Sequence, residues 1–429
     1  MTNAIAAQHV DSWYAASAHV FNGLPALKGE VRCDVCVIGG GLTGLSAAIE
    51  LAERGYEVVV LEGRRVGWGA SGRSGGQVIP GYACEISKLA QLTSLADARR
   101  LWQMSLEAVA LVRERVERHG IQCDWRSGQL HVAIKPRHIA ELVHFRRELE
   151  ETYDDDAMIT LGGEALRQHI RSPRYIGGLF DPRGGHVHPL NFTLGLAHAA
   201  QAAGVKIYEH SLAEKITRGA QPMVQLAEGQ VRARQIVVAG NAWLGPLVPE
   251  LDARIMPVGT YIIASEPLGE ARARELLPTD AAVTDINFVL DYFRLSADHR
   301  MLFGGRVSYS GLTPPNLAES MRRRMVAVFP SLADVKVSHA WGGFVDITMN
   351  RAPHFGRIGQ NLYFAQGFSG HGMAITGLAG RLIAEAIAGD SARLDVFARI
   401  PHRVFPGGRW LRTPSLMLAM LYYRLRDLL

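Results

Sequence analysis

The stretch CDVCVIGGGLTGLSAAIEL, residues 33–51, joins a short apolar run to a cluster of glycines and then to apolar residues at helical spacing. This order predicts a buried strand over 33–38, a glycine turn and a helix. Gly55 ends the helical pattern, and residues 56–61 form a second apolar run rich in valine. Together these segments predict a βαβ unit with parallel, buried strands.

The glycines of this unit have the spacing Gly39-x-Gly41-x-x-Gly44, and Glu62 follows the second strand. Glycines in this arrangement let the backbone approach a pyrophosphate at a helix N-terminus. An acid about 20 residues further on can bind the hydroxyls of a ribose. The glycine pattern alone is weak in a chain with 45 glycines, but strand, helix and acid all fall in register. We therefore predict a dinucleotide-binding site.

Strands and helices continue to alternate along the chain. Helical periodicity covers 95–119, 136–151 and 191–203, and strand patterns cover 128–134, 205–208, 224–226 and 235–239. From 255 to 344 the pattern changes to strands at 261–265, 288–295 and 301–304 and a helix at 318–329, which predicts an antiparallel sheet with helices on one face. A last strand at 361–366 leads into a second glycine-rich turn and a helix at 373–388.

The composition is that of a folded protein with two or three packed units. Of 429 residues, 48% are hydrophobic, and 46 Lys and Arg against 41 Asp and Glu give a net charge of +5 without a long basic run. These values disfavour disorder and nucleic-acid binding. No apolar stretch is long enough to span a membrane and no signal-peptide pattern is seen, so we expect a cytoplasmic protein.

Two short motifs invite a metal or redox interpretation, and we reject both. Cys33-x-x-Cys36 falls within a predicted strand, where positions three apart face opposite sides of a sheet. His186-x-His188 has no neighbouring carboxylate or thiol to complete a ligand set, so we interpret it as structural. Four cysteines in a chain of this length also predict no disulfide framework, and we expect no metal site.

A second glycine-rich block, ASGRSGGQ at residues 70–77, follows Glu62 closely. Its small residues flank Arg73 and leave backbone N–H groups accessible to a flat or anionic ligand. The alternative is an ordinary flexible surface loop.

Several blocks of the sequence resemble one known family. They are CDVCVIGGG at 33–41, GASGRSGGQ at 69–77, GFSGHG at 367–372, SWYAAS at 12–17, GHVHPLN at 185–191, DYFRL at 291–295 and FPGGR at 405–409. The chain resembles the D-amino-acid oxidase and sarcosine oxidase superfamily of FAD amine oxidoreductases. Within it, the set of blocks is most similar to oxidoreductases of gamma-glutamylated polyamines.

The resemblance implies an α/β chain with a Rossmann-like FAD-binding domain of the glutathione-reductase type and an α+β substrate domain built on an antiparallel sheet. It assigns residues 28–90, 155–250 and 340–400 to the FAD-binding domain, 91–154 and 251–339 to the substrate-binding domain, and 401–429 to a C-terminal helical tail. The amphipathic part of that tail, 416–429, is expected to pack on the core or contact another subunit rather than lie on a membrane.

The implied cofactor is FAD, held non-covalently because no Cys follows Cys123. The residues implied to contact it are Gly39, Gly41, Leu42, Thr43, Gly44, Glu62, Gly69, Ala70, Ser71, Arg73, Ser74, Gly75, Gly76, Gln77, Gly240, Gly370, His371, Gly372 and Met373.

The implied reaction is hydride transfer from the carbon next to an amine to the flavin, giving an imine that water hydrolyses, in polyamine catabolism. Candidate substrate-side residues are Tyr292, Arg294, Trp341, Arg351 and His371, and we assign His371, Tyr292 and Arg351 as catalytic. Each also has a structural interpretation: a core aromatic, a solvent-facing strand end or a helix cap.

The sequence departs from the wider family in ways that bear on substrate and acceptor. Sarcosine-oxidase relatives carry a Lys two residues after the Gly-His-Gly triplet, where this chain has Ala374, so a small α-amino acid held by its carboxylate is disfavoured. No Lys lies between Lys215 and Lys336, and the electron acceptor is therefore oxygen or another molecule. The alternatives are a secondary-amine oxidase for an N-substituted glycine of the sarcosine or iminodiacetate kind, and a non-catalytic FAD-binding partner in assembly or RNA modification. The oligomeric state stays open.

Overall fold

The computed structural model describes residues 8–287, 290–308 and 315–406, and its strands form three sheets. In chain order the strands are β1 (Gly29–Arg32), β2 (Val35–Ile38), β3 (Val58–Leu61), β4 (Gln77–Val78), β5 (Arg126–Ala133), β6 (Ile159–Gly162), β7 (Gly177–His186), β8 (Lys206–Tyr208), β9 (Lys215–Thr217), β10 (Met223–Gln225), β11 (Gly229–Arg232), β12 (Gln235–Val238), β13 (Met256–Ser265), β14 (Ala282–Asp285), β15 (Tyr292–Leu295), β16 (Met301–Ser308), β17 (Val337–Ile347), β18 (His354–Ile358) and β19 (Leu362–Gln366).

The helices pack on the faces of these sheets. They are α1 (Trp13–Ser17), α2 (Leu42–Ala52), α3 (Ile86–Leu92), α4 (Leu95–Arg118), α5 (Pro136–Tyr153), α6 (Gly163–Arg167), α7 (Pro189–Ala202), α8 (Pro249–Asp252), α9 (Glu270–Leu276), α10 (Leu317–Val328), α11 (Ile375–Ile387) and α12 (Ala392–Ala398). Short 3-10 turns occur at Ala70–Gly72, Asn241–Trp243, Gly245–Leu247 and Pro330–Leu332. Among the helices that the structure describes, none combines the length and apolarity that a bilayer crossing requires.

A six-stranded sheet with the order β18-β19-β12-β2-β3-β8 forms the first layer. Its strands are parallel except β18, which runs antiparallel to β19. Every residue of β2 and β3 is buried, as expected for strands covered on both faces. The predicted strand, glycine turn and helix are confirmed, although β2 begins at Val35, so Cys33 lies before the strand rather than within it.

Helices α2 and α11 lie together against this sheet. A Cβ on Gly380 of α11 would stand 2.5 Å from the backbone nitrogen of Ala47, so only glycine permits this close approach. The Ser46 hydroxyl donates to the carbonyl of Gly377 at 2.5 Å and accepts from Arg115 of α4. The N-terminal ends of the two helices are thereby brought to the same edge of the sheet.

A nine-stranded sheet follows the order β17-β13-β16-β15-β14-β5-β7-β4, with β6 paired to β7. Its pairings are antiparallel except β14 with β5, which corrects the fully antiparallel sheet expected from the sequence. One face packs on α10 through Phe293, Phe303, Met321 and Met325. Alternate residues such as Leu302 belong to the core shared with α2 and α11, so this face looks toward the first sheet.

Two parts of the fold differ from the sequence prediction. The strand predicted over 288–295 begins at Tyr292, and residues 288 and 289 lie outside the described residues. Strands β6 and β7 fall within 155–250, predicted to belong to the FAD-binding domain, yet they pair with the nine-stranded sheet. The domain boundaries stay a prediction, and the predicted helix at 416–429 lies outside the described residues.

The small four-stranded sheet, β1-β11-β10-β9, was predicted only in part, because only β10 corresponds to a predicted strand, at 224–226. The other three strands are three or four residues long and β1 is mostly exposed, so the apolar alternation that marks a strand is missing from their sequences.

Candidate functional site

The glycine turn after β2 is shaped by contacts that exclude any side chain. Gly39 has φ +115°, and a Cβ there would lie 2.6 Å from the carbonyl oxygen of Ala239. A Cβ on Gly44 would lie 1.9 Å from the carbonyl oxygen of Gly39. The turn therefore presses against the end of β12 while α2 begins directly behind it. Gly240 follows two residues after β12, and its backbone nitrogen would lie 3.4 Å from a Cβ on Gly39, so this predicted residue lies beside the turn.

The first turn of α2 meets the second glycine-rich block. Leu42, which with Thr43 begins α2, donates its backbone N–H to the hydroxyl of Ser71 at 3.0 Å. A Cβ on Gly41 would lie 2.7 Å from that hydroxyl oxygen. The N-cap residue Gly41 adds no side chain, and the N–H groups of this first turn other than that of Leu42 are suited to bind a phosphate.

Glu62 stands at the end of β3, beside the same turn. Its carboxylate accepts backbone N–H groups from Gly40 and Arg64, both at 2.8 Å. Enclosure by the protein raises the pKa of Glu62, and these N–H groups counteract the rise. Gly40 was absent from the predicted contacts, yet a Cβ there would lie 3.0 Å from Glu62 Cβ. The acid and the start of α2 thus share one edge of the sheet.

Arg73 anchors the second glycine-rich block. Its Nε donates to the carbonyl of Trp68 at 2.6 Å, and its guanidinium stacks over the Trp68 ring at 4.2 Å. Burial lowers the pKa of Arg73 to about 10, which leaves it a cation at neutral pH. Its Nη2 is buried without a hydrogen-bond partner in the described structure. An unfilled buried donor beside a glycine-rich loop is suited to donate a hydrogen bond to a ligand carbonyl.

The next residues of the block lie against the nine-stranded sheet. A Cβ on Gly75 would lie 2.8 Å from the ring of Tyr292, and a Cβ on Gly304 would lie 2.1 Å from Tyr292 Cζ. The Tyr292 ring is therefore held between these two glycines. Arg294 donates its Nε to the carbonyl of Gly75 at 2.7 Å. It is buried, so the solvent-facing interpretation of this residue is wrong.

A chain of polar side chains continues from the block across the sheet. Gln129 Nε2 donates to the hydroxyl of Thr284 at 3.0 Å, and that hydroxyl donates to Gln77 Oε1 at 2.9 Å. The remaining acceptor, Gln129 Oε1, is buried and has no partner in the described structure. His131 lies two residues along β5 on the same face, opposite Thr284. The sequence carries a signal for this face, because Gln129 and His131 alternate with buried Leu130 and Val132.

The turn before α11 approaches the block from the other side. Met373 Sδ lies 3.1 Å from the hydroxyl of Ser74. Gly370 has φ +91°, and a Cβ on it would have no atom within 4 Å, whereas a Cβ on Gly372 would lie 3.3 Å from Phe368 Cβ. The first residue of α11 is Ile375, two residues later than predicted. The turn itself is held by Asp346, which accepts the N–H of Gly367.

His371 and Arg351 lie near each other beside this turn. His371 Nε2 is 3.0 Å from the carbonyl of Pro80, and burial lowers its pKa to about 4. The charges of His131 and Arg351 act in the same direction, which places all three side chains in one electrostatic neighbourhood. His371 is therefore a neutral imidazole at pH 7. Arg351 has φ +61°, unusual for a residue other than glycine.

The remaining candidates have structural contacts. The Trp341 ring is buried and its Nε1 donates to the carbonyl of Arg73 at 3.0 Å. His188 caps α7 by accepting the N–H of Asn191 at 3.1 Å, and burial lowers its pKa to about 3. Cys33 and Cys36 are free thiols whose pKa is raised by burial. In the described part of the chain, no cluster of His, Cys, Asp and Glu is arranged to hold a metal ion.

The predicted contacts from both glycine-rich turns therefore meet at one edge of the first sheet. Gly69 and the 3-10 turn Ala70–Gly72 connect this edge to Arg73. A Cβ on Gly69 would lie 3.6 Å from the ring of Trp243. The start of α2, the Glu62 carboxylate and the unfilled Arg73 donor are suited to the phosphate, ribose and ring parts of a flavin dinucleotide. The assignment of individual contacts to the cofactor stays a prediction.

Comparison with known proteins gives the family of the chain and several similar proteins. A family model described as FAD dependent oxidoreductase matches residues 34–386. The gamma-glutamylputrescine oxidoreductase of Escherichia coli (strain K12) is 44% identical over 421 residues, covering 98% of this chain and 99% of that protein. A protein of Haemophilus influenzae named probable oxidoreductase OrdL is 41% identical and covers 100% of this chain and 99% of that protein.

The fold agrees with solved structures of glycine oxidases. Glycine oxidase from Geobacillus kaustophilus superimposes with a TM-score of 0.73 at 20% identity, covering 87% of this chain and 99% of that chain. At this identity the likeness shows the fold alone.

Proposed function

Because the chain belongs to the FAD-dependent oxidoreductase family, we propose that it oxidises the amine of a gamma-glutamylated polyamine such as gamma-glutamylputrescine, in polyamine catabolism. It is an FAD-dependent oxidoreductase acting on amines, and the substrate is the proposal. The observation that carries it is the 44% identity to the Escherichia coli gamma-glutamylputrescine oxidoreductase over 98% of this chain. That alignment includes the nine-stranded sheet as well as the glycine turns, so the likeness extends beyond cofactor binding.

The cofactor residues have separate parts in this proposal. Backbone N–H groups at the start of α2 hold the pyrophosphate and Glu62 holds the ribose. Arg73, Gly75 and Gly76 line the flavin ring, and the turn at 370–373 approaches it from the other side. FAD supplies the acceptor for a hydride leaving the carbon next to the amine. The chain's own side chains must hold that carbon against the ring and exclude water.

The face of the nine-stranded sheet that packs toward the glycine-rich block is suited to a neutral amine. Gln129, Thr284 and Tyr292 are uncharged, and burial lowers the pKa of His131, which keeps its imidazole neutral at pH 7. Burial also raises the pKa of Tyr292, so its hydroxyl stays protonated. A wall of uncharged donors and acceptors disfavours an ammonium relative to the free amine. The amine must be neutral for hydride to leave the neighbouring carbon, because the nitrogen lone pair stabilises the resulting iminium ion.

The other end of the substrate carries an α-carboxylate and an α-ammonium group. We assign Arg351 to the carboxylate, because its guanidinium lies in the electrostatic neighbourhood of His371, a residue of the flavin-side turn. Ala374 stands where sarcosine-oxidase relatives carry a Lys, so a carboxylate close to the reacting carbon has no such partner here. This arrangement favours a long substrate with its carboxylate far from the oxidised carbon.

The described cysteines support a cytoplasmic location. Cys33, Cys36, Cys84 and Cys123 are all unpaired, and free thiols persist in reducing compartments. We propose a cytoplasmic enzyme that passes its electrons to oxygen or to another acceptor.

Product analysis tests the proposed substrate. The FAD-loaded protein is incubated in air with gamma-glutamylputrescine, putrescine or sarcosine, and ammonia, aldehyde and hydrogen peroxide are measured. We expect ammonia and a trappable gamma-glutamylated aldehyde in equal amounts from the first substrate, and little product from putrescine. Turnover of putrescine at the same rate as gamma-glutamylputrescine, or turnover of sarcosine alone, contradicts the proposal. Hydrogen peroxide in equal amount identifies oxygen as the acceptor.

A further inference from the structure

Arg294 is a buried cation surrounded by neutral oxygen atoms. It projects from β15, and its side chain lies 3% exposed. Its Nη2 donates to the carbonyl of Val187 at 2.8 Å and to the hydroxyl of Tyr14 at 3.1 Å. Its Nη1 donates to the carbonyl of Leu295 at 3.0 Å, and its Nε to that of Gly75 at 2.7 Å. The hydrogen bonds satisfy the guanidinium without neutralising its charge.

No carboxylate in residues 8–287, 290–308 and 315–406 forms an ion pair with Arg294. His186 Nδ1 lies 3.4 Å from Nη1, and the other ring nitrogen of His186 meets the carbonyl of Asp280. The Asp280 carboxylate lies 3.7 Å from His186 Nε2 and is paired with Arg274 at 3.3 Å and Arg126 at 3.5 Å. Buried arginines are usually paired, and the guanidinium does not deprotonate in proteins. Arg294 is therefore a fixed positive charge.

The charge of Arg294 lies beside the backbone of Gly75 and Gly76. Arg294 holds the carbonyl of Gly75, and a Cβ on Gly76 would lie 3.0 Å from its Nη2. Gly75 and Gly76 are the residues assigned above to line the flavin ring, so this inference rests on that part of the proposed function. The charge lies directly behind the backbone of the block.

We propose that Arg294 acts through the backbone of Gly75 and Gly76 as a fixed positive charge that favours the reduced state of the bound flavin. A hydride carries two electrons and one proton, so its departure from a neutral amine leaves one positive charge on the iminium product and adds one negative charge to the acceptor. A cation held in place before the transfer stabilises that added charge without reorganisation. Arg294 is a positioning residue, since it reaches the flavin only through the block.

The N-terminal helix α1 shares in this arrangement. The Tyr14 ring packs edge-on against Trp341 at 5.2 Å, and its hydroxyl accepts from Arg294. Residues 12–17 precede the segment matched by the family model, which begins at residue 34. The segment therefore helps to fix a charge at the site although it lies outside the region by which the family is recognised.

Two pairs of variants test the charge separately from the packing. Arg294→Met removes the charge and keeps an unbranched side chain, whereas Arg294→Lys keeps the charge and loses the fork of hydrogen bonds. His186→Asp places a carboxylate where Nδ1 now faces Arg294, and His186→Asn is its neutral match. For each FAD-loaded variant we would measure the two-electron midpoint potential by dye-coupled reduction and the Kd of sodium sulfite, which adds a negative charge to flavin.

The proposal predicts that His186→Asp and Arg294→Met shift the oxidised-to-reduced equilibrium by about tenfold or more toward the oxidised flavin, equal to about 30 mV for two electrons. Sulfite binding should weaken by a similar factor. For Arg294→Lys and His186→Asn, the flavin equilibrium and the Kd of sulfite should stay within about threefold of the wild-type values. Equal potentials for His186→Asp and His186→Asn overturn the proposal, even where Arg294→Met fails to fold.

These readouts need bound flavin but no amine. A failure of gamma-glutamylputrescine to react would refute the proposed substrate and leave the charge effect measurable. Unchanged potentials in a protein that oxidises this amine would refute only the role of Arg294.

Discussion

The indole N–H of Trp341 donates to the backbone carbonyl of Arg73 at 3.0 Å, so a strand of the nine-stranded sheet fixes the glycine-rich block beside the first sheet. The two residues lie far apart in sequence and join the two sheets at the site. Through this bond, the sheet that offers the substrate face also sets the position of the block assigned to line the flavin.

Trp341→Phe should weaken FAD binding by about tenfold, because it leaves the Arg73 carbonyl without its donor while keeping an aromatic ring in the core. The Kd of FAD for the apoprotein, measured by flavin fluorescence, checks this. Trp102→Phe is the matched control, since Trp102 Nε1 donates to Asp155 at 2.9 Å elsewhere in the core. The control should lose stability and keep its FAD affinity; an equal loss of affinity in both variants contradicts the account.

Gly41→Ala should weaken FAD binding by at least about tenfold, because its Cβ would lie 2.7 Å from the Ser71 hydroxyl and would turn it away from the N–H of Leu42. Adding Ser71→Ala removes that oxygen and should restore part of the affinity. Gly162→Ala, at a position with nothing within 4 Å and φ −143°, should bind FAD as the wild type does. Normal flavin content in Gly41→Ala would show that the helix end is not the phosphate site.

Gly304→Ala should slow flavin reduction by at least about tenfold and leave FAD bound, because its Cβ would lie 2.1 Å from Tyr292 Cζ and must displace the ring. Stopped-flow reduction at saturating amine measures the effect. Tyr292→Phe keeps the ring in place, so it should change the rate far less. Equal rates for Gly304→Ala and the wild type would remove Tyr292 from the substrate face.

The stability of the protein should fall as the pH drops from about 6.5 toward 3, partly through His188. Its folded pKa is about 3, lowered chiefly by burial, so the folded state binds fewer protons than the unfolded state in this window. The stability that the neutral ring contributes above pH 6.5 is therefore lost on acidification, by up to about 1.4 kcal/mol per pH unit.

His188→Asn should flatten that acid loss, because Asn caps a helix as well as His188 does and carries no proton. Urea unfolding at pH 8 and pH 5 measures the difference. We expect the variant to be the less stable protein at pH 8, because it loses the packing of the ring on Trp13 and Tyr14 and the contact with Ser17, and we expect this difference to shrink at pH 5. An unchanged slope would mean that His188 does not contribute to acid unfolding.

Much of the first sheet could be predicted because its information is local. The run before Gly39 is apolar throughout, and the glycine spacing lies within one βαβ unit. The turn around His371 could be located for the same reason, since glycines and a following apolar helix mark it. Local periodicity and glycine placement were sufficient to locate both glycine-rich turns.

The roles of Arg294 and Tyr14 could not be predicted, because their contact joins residues from opposite parts of the chain. A single Arg at the end of a strand reads equally as exposed or as ligand-binding, and only the folded chain shows it buried among carbonyls. Gln129 and His131 were missed for a different reason. Their alternation with Leu130 and Val132 identified a strand, but which face meets the site depends on the pairing of β5 with β14.

The most direct test of the central claim is anaerobic mixing of the FAD-loaded protein with gamma-glutamylputrescine. The reaction is followed by the visible absorbance of the oxidised flavin. The account predicts rapid and complete bleaching by one equivalent of this amine, with sarcosine and D-alanine leaving the flavin oxidised over the same time. Bleaching by sarcosine but not by gamma-glutamylputrescine, or an absence of bleaching by any of the three, would contradict it.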